Sequence, residues 1–194
     1  VCKNGIQYII SARHIFENYK NNSCIKLEIF HNKEWVTIEG ELLFHEKEKI
    51  DICVIKLSKH ICEDFAIEKA EEIAFGQDLF MLGFPYGLYT EFTKSLSKFP
   101  FPFLKKGCLS GAITNEEHGT MYFLDGHNNK GFSGGLVCYM NPKTNKPLMV
   151  SVISGYIPQE GQIKTPYGDW KYNENSGIVI TYSIKHAFEI IENN

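Results

Sequence analysis

The chain has 194 residues, of which 43% are hydrophobic and 22% charged. It is long enough to bury a sizeable core and far from the composition that leaves a chain disordered. A net charge of −3 offers no footprint for DNA or RNA, and no apolar run approaches the roughly 18 residues of a membrane-spanning helix, so neither nucleic acid nor membrane is an expected partner.

In chain order, short runs rich in Ile, Val, Phe and Tyr predict strands over 7–11, 24–30, 34–43, 52–57, 78–82, 111–114, 120–124, 136–139, 148–154 and 177–182. Clusters of Gly, Asn, Pro and Lys separate them, as in an all-β sandwich or barrel and unlike βαβ units. A helical turn is expected at 14–18. The charged stretch 61–72 is expected to link two β units, dividing the chain into 1–72 and 73–194. Segment 84–106, which carries Pro85, Pro100 and Pro102, is long for a loop. It reads either as a surface insertion packing its own aromatics or as a flap shaping a cleft. At the C-terminus Ser183 can cap a helix with Ile184, Ala187, Phe188 and Ile191 on its apolar face and Lys185, His186, Glu189 and Glu192 on its polar face.

Six scattered cysteines do not suggest a disulfide framework, and Cys53 and Cys138 fall inside apolar runs, where a thiol behaves as a small buried hydrophobe. Neither C-x-x-C nor H-E-x-x-H occurs, and no metal site is expected. The chain opens at Val1 without a signal-peptide pattern, which leaves localisation open.

Three short patterns carry chemistry. Ser11-Ala12-Arg13-His14 places an imidazole directly after an apolar strand. Asp51-Ile52-Cys53-Val54 places a carboxylate at the start of another, and Gly131-Phe132-Ser133-Gly134-Gly135 sets a serine among glycines just before a third. A serine hydroxyl is a poor nucleophile unless a base lies within hydrogen-bond reach. An imidazole can be that base, and a carboxylate can orient it.

These motifs, in the order His, Asp, Ser, resemble those of the chymotrypsin-like (trypsin-fold) serine proteases, particularly the bacterial trypsin-like peptidase domain. Gly83-Phe84-Pro85-Tyr86-Gly87 is similar to a turn of that family's second barrel, and Lys106-Gly107-Cys108-Leu109-Ser110-Gly111 to the strand that follows it. The resemblance spans about residue 5 to 192. It implies two six-stranded antiparallel β-barrels closed by a C-terminal helix, the first carrying His14 and Asp51 and the second Ser133. It further implies a serine endopeptidase acting through an acyl-enzyme without a cofactor, on a protein or peptide substrate. His14 would be the base, Asp51 its orienter and Ser133 the nucleophile, with the N–H groups of Gly131 and Ser133 as oxyanion donors. By position, His127 would lie at the base of the primary specificity pocket, where it would favour an acidic or amide side chain, and Ser154, Gly155 and Tyr156 would form a pocket wall that pairs with substrate main chain.

The chain departs from the secreted members of that family in three places. Phe132 stands where their aspartate pairs with a freshly cut N-terminus, and Ile15 and Lys130 stand where they carry cysteines. The oxyanion turn must therefore be ordered without that ion pair, and a disulfide-poor branch is favoured, which leans weakly toward the cytoplasm. These departures keep a second reading open: a latent or degenerate protease-fold module that binds peptides or senses a partner, with an attached or associated regulatory domain.

Overall fold

The computed structural model describes residues 1–31, 34–63, 68–90 and 100–194. Part of the expected link (64–67) and part of the expected flap (91–99) lie outside the described residues.

The first sheet contains β1 (Cys2–Lys3), β2 (Ile6–Ser11), β3 (Ser23–His31), β4 (Glu34–Phe44) and β5 (Cys53–Leu57). Its strands run in the order β1-β2-β5-β4-β3, with every neighbour antiparallel. The second sheet contains β6 (Glu68–Lys69), β7 (Asp78–Gly83), β8 (Phe103–Asn115), β9 (Gly119–Asp125), β10 (Leu136–Met140), β11 (Pro147–Thr165) and β12 (Gly168–Ser183), in the order β10-β7-β8-β9-β12-β11-β6. Because β10 also pairs with β11, six of these strands close into a barrel, and β6 adds to β11 in parallel. The first sheet stays open among the described residues. Among the described residues the chain is thus mostly β, in two sheets, with one α-helix, α1 (Lys185–Asn193), after the last strand. No helix among the described residues is long and apolar enough to cross a membrane.

Strand β5 shows why its sequence is almost continuously apolar. Cys53, Ile55 and Leu57 enter one core with Ile25, Ile38 and Leu42, while Val54 and the preceding Ile52 enter a second core with Tyr8, Met149, Val152 and Tyr182. Burial on both faces replaces the alternation of a half-exposed strand. At roughly 1.5–3 kcal/mol for each fully buried aliphatic side chain, these residues fix the strand's register and with it the position of Asp51.

Helix α1 contributes Ala187, Ile190 and Ile191 to that second core, so residues of both sheets meet around it. Ser183 does not sit at the N-cap, which Ile184 occupies without a side-chain bond, although the Ser183 hydroxyl accepts from the Lys185 N–H at 3.4 Å. The helix also corrects one expectation. His186, placed on the polar face by its spacing, is buried. Its Nε2 accepts the Thr120 N–H at 2.9 Å and its Nδ1 donates to Glu189 at 2.8 Å, so both polar atoms are satisfied inside.

The strands over 148–154 and 177–182 are the inner halves of much longer ones. Beyond the barrel β11 and β12 continue as a two-stranded ribbon, with Ile163 opposite Trp170 and both exposed.

Candidate active site

His14 lies in a 3-10 turn, Arg13–Phe16, that begins two residues after β2 ends. The Arg13 guanidinium lies 4.6 Å from the centre of the Phe44 ring and donates to the His45 carbonyl at 3.2 Å, tying the turn to the end of β4. Asp51 immediately precedes the stretch that becomes β5. It meets His14 twice: Oδ1 accepts the His14 backbone N–H at 2.8 Å, and Oδ2 lies 2.7 Å from the ring Nδ1. Two contacts fix both the position of the histidine and the rotation of its ring.

Oδ2 of Asp51 has a further donor, the Ser154 hydroxyl at 2.5 Å. Sequence reasoning placed Ser154 on a pocket wall and missed this bond; a hydroxyl in a largely apolar inner strand was the available signal, though Ser151 carries the same one. The carbonyl of the same residue accepts the Ser133 hydroxyl at 3.1 Å. His14, Asp51, Ser154 and Ser133 therefore form one connected series. Ser133 and His14 are not directly hydrogen-bonded to each other among the described residues, but the chain beside them is in contact. A Cβ built on Gly134 would collide with the Ser11 hydroxyl and press against Ile15.

The environment shifts these groups in consistent directions. For Asp51 burial pushes the carboxyl pKa up, yet the hydrogen bonds from His14 and Ser154 outweigh it, and the net value lies below the ordinary one. The bond from Asp51 raises His14 above 6.5 despite partial burial. Cys53, two residues after Asp51, is a buried thiol pushed up to about 12 by desolvation and by the nearby carboxylate, so it stays protonated and unreactive.

The turn around Ser133 is held by its carbonyls. The Lys130 carbonyl accepts the Tyr86 N–H at 2.9 Å, and the Phe132 carbonyl accepts the Gly135 N–H at 2.9 Å. In a trans peptide the N–H points opposite to the carbonyl, so these two bonds also orient the N–H groups of Gly131 and Ser133, which have no intramolecular acceptor among the described residues. Gly131 has φ +98°, and a Cβ there would overlap the Phe84 carbonyl oxygen, so the turn needs glycine. Phe132 is fully buried in the barrel core, against Gly83.

Beside Ser133 is a cavity of about 450 Å³, lined among others by His127, Asn128, Lys130, Gly155 and Tyr156. The structure thus brings His127, Gly155 and Tyr156 to one pocket with Ser133, and no lining residue is a carboxylate.

Among the described residues one group has ligand spacing for a metal: His45, His186 and Glu189. Its chemistry does not fit an ion. Lys47 donates its N–H to His45 Nδ1 at 3.0 Å and Thr120 donates to His186 Nε2, so each ring's remaining nitrogen carries hydrogen toward Glu189. Metal coordination there would require each ring to give up its backbone donor. The group instead ties the 45–50 turn, which delivers Asp51, to α1.

No protein-family model matches the chain, and no curated protein matches it by sequence. Solved structures do. The HtrA-type protease AlgW, crystallised with a tripeptide, superposes with a TM-score of 0.62 at 14% identity over 96% of this chain and 51% of that one. The chain shares the chymotrypsin-like fold of that half of AlgW. Rv3671c from M. tuberculosis, as a serine-to-alanine mutant in an inactive form, gives a TM-score of 0.58 at 11% identity over 96% of this chain and 76% of that one. The chain therefore spans about half the length of AlgW. At this identity the likeness establishes the chymotrypsin-like, HtrA-type fold; the chemistry rests on the site itself.

Proposed function

We propose that the protein is a serine endopeptidase that cleaves peptide bonds through an acyl-enzyme. The observation that carries this reading is the double contact of Asp51 with His14, joined through Ser154 to Ser133. In the first step Ser133 Oγ attacks the scissile carbonyl carbon while His14 Nε2 takes its proton. The carbonyl π pair moves onto oxygen, which the N–H groups of Gly131 and Ser133 stabilise. Asp51 keeps hydrogen on Nδ1, so that Nε2 is free to accept, and stabilises the imidazolium that results. Collapse of the tetrahedral adduct breaks the C–N bond, and His14 returns the proton to the leaving amine. Water then repeats the sequence on the ester, releasing the acid and restoring Ser133.

The pocket chemistry supports a preference at the residue before the cleaved bond. His127, Lys130 and Asn128 supply donors and no lining carboxylate offers a partner to Lys or Arg, which favours acidic or amide side chains. A panel of peptides varied at that position checks this, and a preference for Arg would refute it.

One observation favours a resting form of the same enzyme. The Ser133 hydroxyl is spent on the Ser154 carbonyl at 3.1 Å, and that bond, worth about 1 kcal/mol, must break before the hydroxyl can donate to His14. Reaction with a fluorophosphonate probe, with Ser133→Ala and His14→Ala as controls, tests the proposal. Labelling of the wild type alone is expected. Equal labelling of the Ser133→Ala protein would overturn the assignment of the nucleophile, and a folded wild type that never labels would favour a peptide-binding module.

A further inference from the structure

The turn that carries the oxyanion donors has Phe132 where an acidic residue would receive an N-terminal ammonium, so something else must hold it. A different ammonium reaches the same turn. Lys105 sits on β8 opposite Met81 of β7. Its Nζ donates to the His127 carbonyl at 2.8 Å and to Asn129 Oδ1, and it lies 5.0 Å from the centre of the Phe132 ring. The next residue behaves differently: Lys106 forms an exposed ion pair with Asp78 at 2.8 Å, the ordinary arrangement of a strand lysine. Lys105 instead directs its charge at a carbonyl, an amide oxygen and an aromatic face, all within residues 127–132.

We infer that Lys105 is a positioning residue for the turn 127–133, holding it in the shape in which the Gly131 and Ser133 N–H groups converge beside Ser133 Oγ. This inference rests on the serine protease reading for its catalytic consequence, but not for its structural one. Asn129 is the pivot. Its side-chain oxygen takes the lysine and its backbone oxygen takes the Phe132 N–H at 3.2 Å, so one ammonium fixes the residue from which the turn closes. Phe132 is clamped from two sides, by the ammonium over its ring and by Gly83, whose missing side chain leaves room for it. Lys130 and Gly131 lie between these anchors. Without the ammonium, Asn129 and the Phe132 ring each lose an anchor, and the Lys130–Gly131 segment between them is held only by the Tyr86 and Phe84 N–H groups on its two carbonyls; a shift of Asn129 and Phe132 about those two bonds would turn one donor away from the oxyanion. Burial also lowers the Lys105 pKa, as expected for an ammonium drawn partly out of water.

The test compares wild type with Lys105→Met, which keeps the packing of the stem and removes the donors, and Lys105→Arg, which keeps charge and donors. Two readouts are taken on the full chain: amide hydrogen exchange over residues 127–133, and the rate of fluorophosphonate labelling together with kcat and KM on a peptide ester. The expected result is a folded Lys105→Met protein with faster exchange confined to the turn. Labelling and kcat should fall roughly 100-fold, the size of losing one oxyanion donor, with KM little changed, and Lys105→Arg should recover most of both. Exchange in Lys105→Met indistinguishable from wild type, or Lys105→Arg no better than Lys105→Met, would overturn the inference. If the wild type itself does not label while exchange still separates the variants, the positioning role stands and the protease reading fails. If the wild type labels and Lys105→Met labels equally fast, the inference fails and the protease reading stands.

Discussion

Replacing Asp51 by asparagine changes one atom's chemistry without changing shape, and the geometry predicts where the amide settles. Oδ1 accepts the His14 backbone N–H, while Oδ2 faces His14 Nδ1 and the Ser154 hydroxyl. An asparagine with its oxygen toward Nδ1 would point its NH2 at the backbone N–H of His14, leaving two donors face to face. The opposite orientation satisfies every group: the oxygen takes the backbone N–H, and the two amide hydrogens go to Nδ1 and to the Ser154 oxygen. It also forces Nδ1 to be an acceptor, which moves the ring hydrogen to Nε2. That nitrogen can no longer take a proton from Ser133. A folded protein with the wrong tautomer should lose about 10⁴ in kcat, or ~5 kcal/mol of transition-state stabilisation. The assays are kcat on a peptide ester and an NMR titration of His14, whose pKa should fall once the carboxylate that raises it is gone. Wild-type kcat in Asp51→Asn, or a His14 pKa that stays raised, would refute the reasoning.

Stability should carry the signature of the same pair. His14 has a raised pKa, so its contribution is complete below 6.5 and is lost as pH rises through the folded value; Asp51 has a lowered one, so its contribution is present above 3.8 and is lost as pH falls through the folded value. The urea midpoint should therefore decline on both sides of a plateau, and His14→Ala should remove the alkaline step. Phe132→Ala empties a fully buried aromatic site and should cost ~3–5 kcal/mol by urea unfolding; a loss below ~1 kcal/mol would mean the ring is not part of the barrel core. In Gly131→Ala a Cβ must meet the Phe84 carbonyl at φ +98°, so the turn should rearrange at a cost above ~1 kcal/mol and fluorophosphonate labelling should be lost. Wild-type labelling of that variant would show that the turn has more room than the structure gives it.

The strands with a buried face were legible because their residues obey a period that burial imposes. The ribbon formed by the outer halves of β11 and β12 was not, since Gln159, Glu160, Gln162 and Lys164 pack against no core and carry no such period. Strand β8 was foreseen from apolar patterning only from residue 111, and from the family resemblance only from Lys106, yet it begins at Phe103; Lys105 and Lys106 hide its start, which pairing with β7 decides. At the site, motif spacing brought out His14, Asp51 and Ser133, because each follows or precedes a strand whose position the core dictates. It could not reveal the bond from the Ser133 hydroxyl to the Ser154 carbonyl, whose acceptor lies on another strand. Nor could it find Lys105, since its partners lie on a turn more than twenty residues later. His186 was misplaced for a related reason: helical spacing records direction, whereas the Thr120 N–H that makes its burial tolerable comes from another strand.

The core that joins both sheets has consequences for the order in which the molecule is built. Tyr8, Ile52 and Val54 share it with Ile184, Ile190 and Ile191, so its first and last members are separated by nearly the whole sequence. Contacts of such range form late, because a long loop must close before any burial offsets the lost entropy. A nascent chain that has made His14, Asp51 and even Ser133 still lacks the residues that complete this core. The proposed hydrolytic activity should therefore appear abruptly, once α1 has docked, rather than grow as successive strands emerge.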